Sequence, residues 1–578
     1  MKKIVYHIVC AAGLAMGAAA CGDFLEVEPQ TEILEENFWN EKADVDNMVA
    51  GCYQLMQSDA IVKRMMVWGE FRSENVSAGN NNIENDEASL AELLKENIKA
   101  TNSWSFWGDF YNVINRCNLI IARAPQVAAN DPSYSQSELK ATIAEVTALR
   151  SLCYFYLIRT FRDVPYITTP YVEDTQEMML PANKFDDVLD NLITALEEVK
   201  SDAVKTYPKN KEGYQTGRIT QEAINAMLCE MYLWKKDYAT CIQYADLVIE
   251  AKKQQEEDRK AESTSTGMVT EDFFDGYPLV SNYVGSSTTP FGNAYSDIFG
   301  EGGGKEIIFE LTFMKDNDNM PSNGAVSSFY GNAKNTMGYV RPSNIVTDDI
   351  TATTWKIFSN KYDARQYEAI ASNGTDIGKY AYRSMATVIS GSSESMILMD
   401  QYPEGKNKSN WIIYRLTDIM LLKAEALVQM SAVTDGNDAA VNEANKALFT
   451  EAFVLVNAVN KRSVLQRPLK DTLKLASYVN SRSQMEDLVL TERHRELIFE
   501  GKRWFDLVRR SQRDGNTSVL ASKVTQKFSS TATLVRSKLE KMDAIYMPVN
   551  LDELKLNPNL KQNPAYGSGD EEGNYEKT

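Results

Sequence analysis

The segment INAMLCEMYLWKKDYATCIQYADLVI, Ile224 to Ile249, constrains the fold more than any other stretch of the chain. Apolar residues recur three and four apart on both sides of Lys235-Lys236-Asp237, which predicts two helices joined by a tight turn. Leu228, Cys229, Tyr232, Tyr238, Cys241 and Val248 stand at the spacing of a tetratricopeptide repeat. Small residues at Cys229 and Cys241 let the helices approach closely, while Tyr232 and Tyr238 fill the space around them. One such hairpin cannot bury both of its faces, so other helical pairs must stack on it.

A more degenerate pair follows at Tyr414 to Met430 and Ala439 to Lys461. Helical stripes also run through Trp107, Phe110, Tyr111, Ile114 and Leu119, from Leu139 to Ile158, and through Phe185, Val188, Leu189, Leu192, Leu196 and Val199. Two stretches break the pattern. Residues Ile61 to Lys99, with WGEFRSENVSAGNNNIEND, read as an exposed loop with polar hooks. Thr264 to Asn410 is rich in Gly, Ser, Asn and aromatics, with strand-like pieces such as EIIFELTF at Glu306 to Phe313. A long irregular insertion on a rigid frame is where binding residues tend to lie. The expected fold is mainly α: a tetratricopeptide-like helical repeat scaffold with a large loop-rich insertion containing short strands. Its parts are 1–20 as a signal peptide and 21–578 as one domain, with a helical part over 22–263, the insertion over 264–410, and repeat helices and tail over 411–578.

Ser483 to Arg510 carries the chain's strongest helix grammar. Ser483 and Glu486 have capping-box spacing and Gly501 is a natural stop, predicting a helix from about Gln484 to Glu500 and a second from Lys502. Met485, Leu488, Val489 and Phe499 fall on one face, with Glu492 and Glu496 in the middle of that apolar stripe. Carboxylates placed there must be paired, by Arg493, Arg495, Arg503 or arginines of neighbouring helices.

The first residues, MKKIVYHIVCAAGLAMGAAACGDF, have the charged start, apolar run and small residues of an export signal. Ala19-Ala20-Cys21-Gly22 resembles a bacterial lipobox, although Ala18 stands where a larger aliphatic residue is usual; plain secretory cleavage is the alternative. No later run reads as a membrane span, so the expected anchor is lipid on Cys21. Cys52, Cys117, Cys153, Cys229 and Cys241 sit within helical apolar patterns and read as small buried hydrophobes rather than disulfides or metal ligands. After signal removal His494 is the one histidine left, which excludes a multi-histidine metal site. A net charge of -19 over 578 residues argues against nucleic-acid binding.

Several blocks together resemble the SusD/RagB family of outer-membrane lipoproteins: CGDFLEVEP after the signal, WGDFYNVINRCNLII at Trp107 to Ile121, EVTALRSLCYFYLIRTFRDVPYI at Glu145 to Ile167, GRIT at Gly217 to Thr220, YRLTDIMLLKAEAL from Tyr414, TERHRELIFEGKRWFDLVRR ending at Arg510, and IYMPVNLDELKLNPNLKQNPAY near the end. The resemblance implies a helical body held at the cell surface by its lipid. It also implies a SusC-like TonB-dependent transporter as partner, over which the protein closes while it captures glycans or, in some members, peptides. No cofactor is implied.

Sugar capture needs flat apolar surface for the C–H face of the ring and directional polar groups for its hydroxyls. Arg72, Asn75, Asn80, Asn81, Asn82 and Trp104 form an N-terminal candidate set, and Tyr283, Phe291, Tyr330, Asn332, Tyr339 and Trp355 a set within the insertion. For each aromatic the competing role is packing of loop onto scaffold. Three other readings stay open: peptide capture, a pure repeat scaffold, and a glycosidase using Glu492 and Glu496, one helical turn apart. Against catalysis, His494 points away from that pair, which lies in an apolar stripe. The HRE triplet is not HExxH, and DNDNM at Asp316 to Met320 does not meet the EF-hand pattern.

Overall fold

The computed structural model describes residues 38–79, 82–173, 175–264, 273–280, 294–313, 323–331, 338–347, 357–358, 360, 363–370, 377–380, 383–390, 393–400, 409–432, 439–464 and 472–567. Cys21 and the signal lie outside them.

The principal helices are α1 (Lys42–Met56), α2 (Asp59–Met66), α3 (Gly108–Asn130), α4 (Gln136–Phe161), α5 (Phe185–Val199), α6 (Gln221–Trp234), α7 (Tyr238–Thr264), α8 (Leu416–Met430), α9 (Ala439–Ser463), α10 (Arg482–Leu497) and α11 (Arg503–Asp514). Local chemistry sets their starts. Ser135 and Glu138 form a capping box at α4, and the Thr220 hydroxyl of GRIT accepts from Ala223 N–H at α6. Neighbours in sequence pack as pairs: α3 on α4, α4 on α5, α6 on α7, α7 on α8, α8 on α9, with α10 against both α8 and α9. This is the predicted stack of helical hairpins.

In the leading hairpin the Cys229 and Cys241 sulfurs lie 3.7 Å apart, so α6 and α7 do approach at their small residues. Tyr232 and Tyr238 both pack against the core, and Tyr232 also stacks on Tyr244, the rings 5.6 Å apart. Both hydroxyls donate to Glu197, at 2.9 and 2.5 Å, tying the hairpin to α5. All five cysteines of the described chain are buried thiols. Helix α4 is long and apolar enough to cross a membrane, contrary to the sequence reading that no such run exists, but 83% of its most apolar window is buried inside the fold. It is the core helix.

Buried arginines rivet helices that apolar packing alone would not orient. Arg159 on α4 meets Glu230 on α6 at 2.7 Å, Arg493 on α10 meets Asp418 on α8 and Asp506 on α11 at 2.9 Å each, and Arg509 on α11 meets Glu425 on α8 at 2.6 Å. Charge-assisted, bidentate contacts of this kind are directional, so they fix rotation as well as distance.

Strands occur as three two-stranded antiparallel ladders: β1 (Val76–Ala78) with β3 (Val340–Pro342), β2 (Ile307–Leu311) with β6 (Trp411–Arg415), and β4 (Arg383–Ser390) with β5 (Ser393–Asp400). The EIIFELTF strand is therefore real, and it pairs across the insertion with a strand from the block read as helical at Tyr414. Trp411, Ile412, Ile413 and Tyr414 are all buried, a continuous apolar run whose β-branched residues suit a covered strand; helix begins only at Leu416.

Residues 61–99 depart furthest from expectation. They hold α2, a π-helical turn at Val67–Phe71 and short helices at Ile83–Asp86 and Ala88–Leu94, and Glu70, Arg72, Ser73, Glu74 and Asn75 are buried. The polar run that looked like exposed hooks bonds to itself and to α10 instead. Gly69 explains the geometry: a Cβ there would lie 1.8 Å from the carbonyl oxygen of Gly501, so the π turn and the end of the α10 segment touch backbone to backbone.

Candidate functional site

The two glutamates of α10 are the one carboxylate pair in the sequence that suits glycosidase chemistry. Helix α10 begins one residue earlier than its predicted cap, with Ser481 accepting from Gln484 N–H, and ends at Leu497. Phe499 and Gly501 both have positive φ, at 67° and 72°. Phe499 is thus in a turn rather than on the helical stripe. Glu492 and Glu496 are fully buried. Arg365 Nη1 lies 2.8 Å from Glu492 and 3.0 Å from Glu496; Arg415 Nη1 is 2.7 Å from Glu496, and Arg462 also reaches it. Of the local arginines only Arg495 contacts the pair, at 3.4 Å from Glu492, because Arg493 is committed to Asp418 and Asp506 and Arg503 to Glu74. Burial alone would raise the Glu496 carboxyl, but Arg462, Arg415 and Arg365 hold it well below the usual range. A glycosidase acid needs the opposite shift and access to substrate.

The N-terminal candidates resolve in a similar way. Arg72 is 2% exposed: it forks onto Glu96 at 3.0 and 2.8 Å, donates to the carbonyls of Ala544 and Ile545, and lies 4.2 Å over the Trp504 ring. Asn75 Nδ2 donates to Glu70 at 2.6 Å, leaving its oxygen to accept from His494 Nε2. Neither is free to meet a ligand in this structure. Trp104 is also buried, its carbonyl accepting from Trp68 Nε1 at 2.8 Å and its ring edge-on to Phe329. Tyr330 is 1% exposed and donates to Phe499 O at 3.0 Å, in a stack with Tyr380 and Trp411. Asn82 is exposed and Tyr339 half-buried. Asn80, Asn81, Tyr283, Phe291, Asn332 and Trp355 lie outside the described residues.

What the sequence missed is Phe106. It is 40% exposed between the buried Trp104 and Trp107, with the Arg64 guanidinium 5.6 Å from its ring and Arg64 Nε donating to its carbonyl at 2.8 Å. Arg64 also spans 5.9 Å to Trp104, Trp104 abuts Phe329, and Tyr339 N–H donates to Ser328 O. Phe106 with Arg64 thus forms a short ridge over a buried layer of Trp104 and Phe329, near the β1–β3 ladder. The available signal was the segment NSWSFWGDF, where Phe106 falls off the helical stripe that Trp107 and Phe110 share.

Buried charge also sets a pH response. Burial pushes the Glu70 carboxyl up to about 7, against the hydrogen bonds from Asn75 and Phe499. Its folded-state value exceeds that of the unfolded chain, so its contribution is complete below the ordinary carboxylate range and is lost as pH rises through about 7. The loss is on the order of 3 kcal/mol. Glu74 runs the other way: burial would raise it, but the Arg503 guanidinium brings it to about 2, so its contribution disappears as pH falls from about 4 toward 2. Between pH 5 and 8 the stability advantage of wild type over Glu70→Gln is expected to shrink as pH rises, read by urea unfolding across the series. A flat difference would remove the proton from Glu70.

A family model described as "SusD family" matches residues 305–566, and a second, described as "Starch-binding associating with outer membrane", matches residues 23–233. The chain belongs to the SusD family. A SusD-like protein of Formosa agariphila is 25% identical over 570 residues, 95% of this chain and 96% of that one. A second from the same organism is 22% identical over 98% and 99%. Among solved structures, a SusD superfamily protein of Bacteroides thetaiotaomicron aligns with a TM-score of 0.60 at 20% identity, covering 92% of this chain and 99% of that one. A laminarin-binding SusD-like protein aligns with a TM-score of 0.57 at 17% identity, over 91% and 100%. In this SusD-family chain the TERHRELIFEGKRW block is thus a structural signature: its conspicuous charges close the ion-pair frame.

Proposed function

We propose that this SusD-family chain is a non-catalytic, cell-surface lipoprotein, tethered by lipid on Cys21, that captures oligo- or polysaccharide and passes it to a SusC-like TonB-dependent transporter. The observation that carries the reading is the exposed Phe106 ring beside Arg64, a surface of the kind a sugar ring stacks on. The "starch-binding" family description and the laminarin-binding neighbour support a glycan as ligand. Tyr283, Phe291, Trp355, Asn332 and Asn80 are proposed as further ligand contacts. Burial of Glu492 and Glu496 in ion pairs with Arg365, Arg415 and Arg462 speaks against a glycosidase built on that pair.

The test is a glycan and peptide panel on residues 22–578. Phe106→Ala is expected to weaken binding of the preferred glycan about tenfold, the loss of one stacking contact with its buried area, while the urea midpoint stays close to wild type. Binding of peptides alone would replace the glycan reading, and undiminished glycan binding by Phe106→Ala would remove the ridge from the site.

A further inference from the structure

A second cleft lies away from the ridge, between α10, α11 and the helix Ser518–Val524, with a volume of about 530 Å³. Three cations line it, Arg503, Arg510 and Lys523, against two carboxylates, Glu74 and Asp487. The pairs are not equivalent. Arg503 is locked on the buried Glu74, and Arg510 is shared between Asp487 at 3.1 Å and Asp514 at 3.4 Å. Lys523 is left over: it is half-buried, and no carboxylate among the described residues comes within ion-pair distance of its ammonium. Its proton is held less firmly than usual, by burial first and then by repulsion from Arg503. His494 adds no charge, since burial and the Arg503 cation keep it neutral and its Nε2 is bonded to Asn75.

Around this cation the lining suits a sugar. Ser518 and Ser522 are exposed hydroxyls on the same short helix, and Thr491 faces them from α10. Ile345, Ile357 and Val519 supply apolar wall. In a chain carrying a net charge of -19, long-range attraction of an anion is absent. An anionic group is held only by a local, partly desolvated cation with hydroxyls beside it, where the attraction is least screened.

We propose that this cleft binds the oxyanion of an acidic saccharide, with Lys523 as the counter-ion, Arg510 as its neighbour and the Ser518 and Ser522 hydroxyls as donors. The proposal rests on the glycan-capture reading and narrows it to chains bearing carboxylate or sulfate. Carboxylate and sulfate share the chemistry of a delocalised anion accepting several hydrogen bonds, so the experiment separates them.

Calorimetry on residues 22–578 would compare three trisaccharides of one linkage: neutral, bearing one uronate, and bearing one sulfate ester. At least one acidic form is expected to bind about tenfold more tightly than the neutral one, and the tighter of the two identifies the oxyanion. Lys523→Gln and, independently, Ser522→Glu are each expected to abolish that advantage while leaving the neutral sugar and the urea midpoint unchanged. Raising salt from 50 to 300 mM should erode the acidic form's advantage alone. Equal binding of all three, with the ridge still binding glycan, overturns the cleft and leaves the capture reading standing. Binding of no saccharide overturns both. An acidic advantage that survives in Lys523→Gln and Ser522→Glu, or an acidic peptide that outbinds every sugar, places the anion elsewhere and overturns the cleft.

Discussion

Glu496→Gln is expected to cost on the order of 3–5 kcal/mol of folding free energy, and at 37 °C to reduce the yield of folded protein. The carboxylate it removes is completely buried and faces Arg365, Arg415 and Arg462 at once. The amide keeps the shape and one acceptor oxygen but none of the charge. Three guanidiniums would then share Glu492, Glu306, Glu500 and Asp363, each already engaged. Uncompensated buried charge is far more expensive than a lost surface ion pair, which is worth under about 1 kcal/mol. Urea unfolding of residues 22–578 measures the loss. A variant that kept the wild-type midpoint while losing a hydrolytic activity would return Glu496 to a catalytic role.

Gly69→Ala is the second substitution expected to have a large effect. Its methyl would have to occupy space 1.8 Å from the Gly501 oxygen and 2.5 Å from the carbonyl carbon, where the obstacle is backbone rather than a flexible side chain. Gly501 has φ of +72°, and a Cβ built on it would lie 3.1 Å from the Met65 carbonyl oxygen and 3.2 Å from the Trp411 ring, so it has little room to withdraw. The π turn that presents Glu70 to the Phe499 N–H would separate from the end of the α10 segment. A loss of ~3 kcal/mol or more follows from overpacking a seam that cannot relax. Hydrogen exchange should localise the opening to Val67–Phe71 and Phe499–Gly501; protection unchanged at both would show that the seam yields elsewhere.

The contrast between Trp104 and Phe106 shows what one chain of letters carries. Both are aromatic, two residues apart, outside a helical stripe, and equally fit to stack on a sugar. Trp104 is covered because Trp68 hydrogen-bonds to it and Phe329, more than two hundred residues away, closes on its ring; Phe106 is left in solvent. Arg72 and Asn75 repeat the lesson with polar groups. Their partners Glu96, Ala544, Ile545, Glu70 and His494 come from both ends of the chain, and burial with partners looks the same in sequence as exposure with hooks.

The helical hairpins are legible in the chain alone, because a 3.6-residue period and a small-residue contact at Cys229 and Cys241 are local properties that repeat. So is the need to neutralise Glu492 and Glu496, since an apolar stripe forbids a bare carboxylate whatever surrounds it. Which groups neutralise them depends on the folded arrangement. Arg365, Arg415 and Arg462 are brought to one point from the insertion, a strand and α9. The same arrangement decides which aromatics and which cations face water, Phe106 and Lys523 among them. Exposure is a property of what else arrives at a place, and no residue carries that information in its own neighbourhood of the chain.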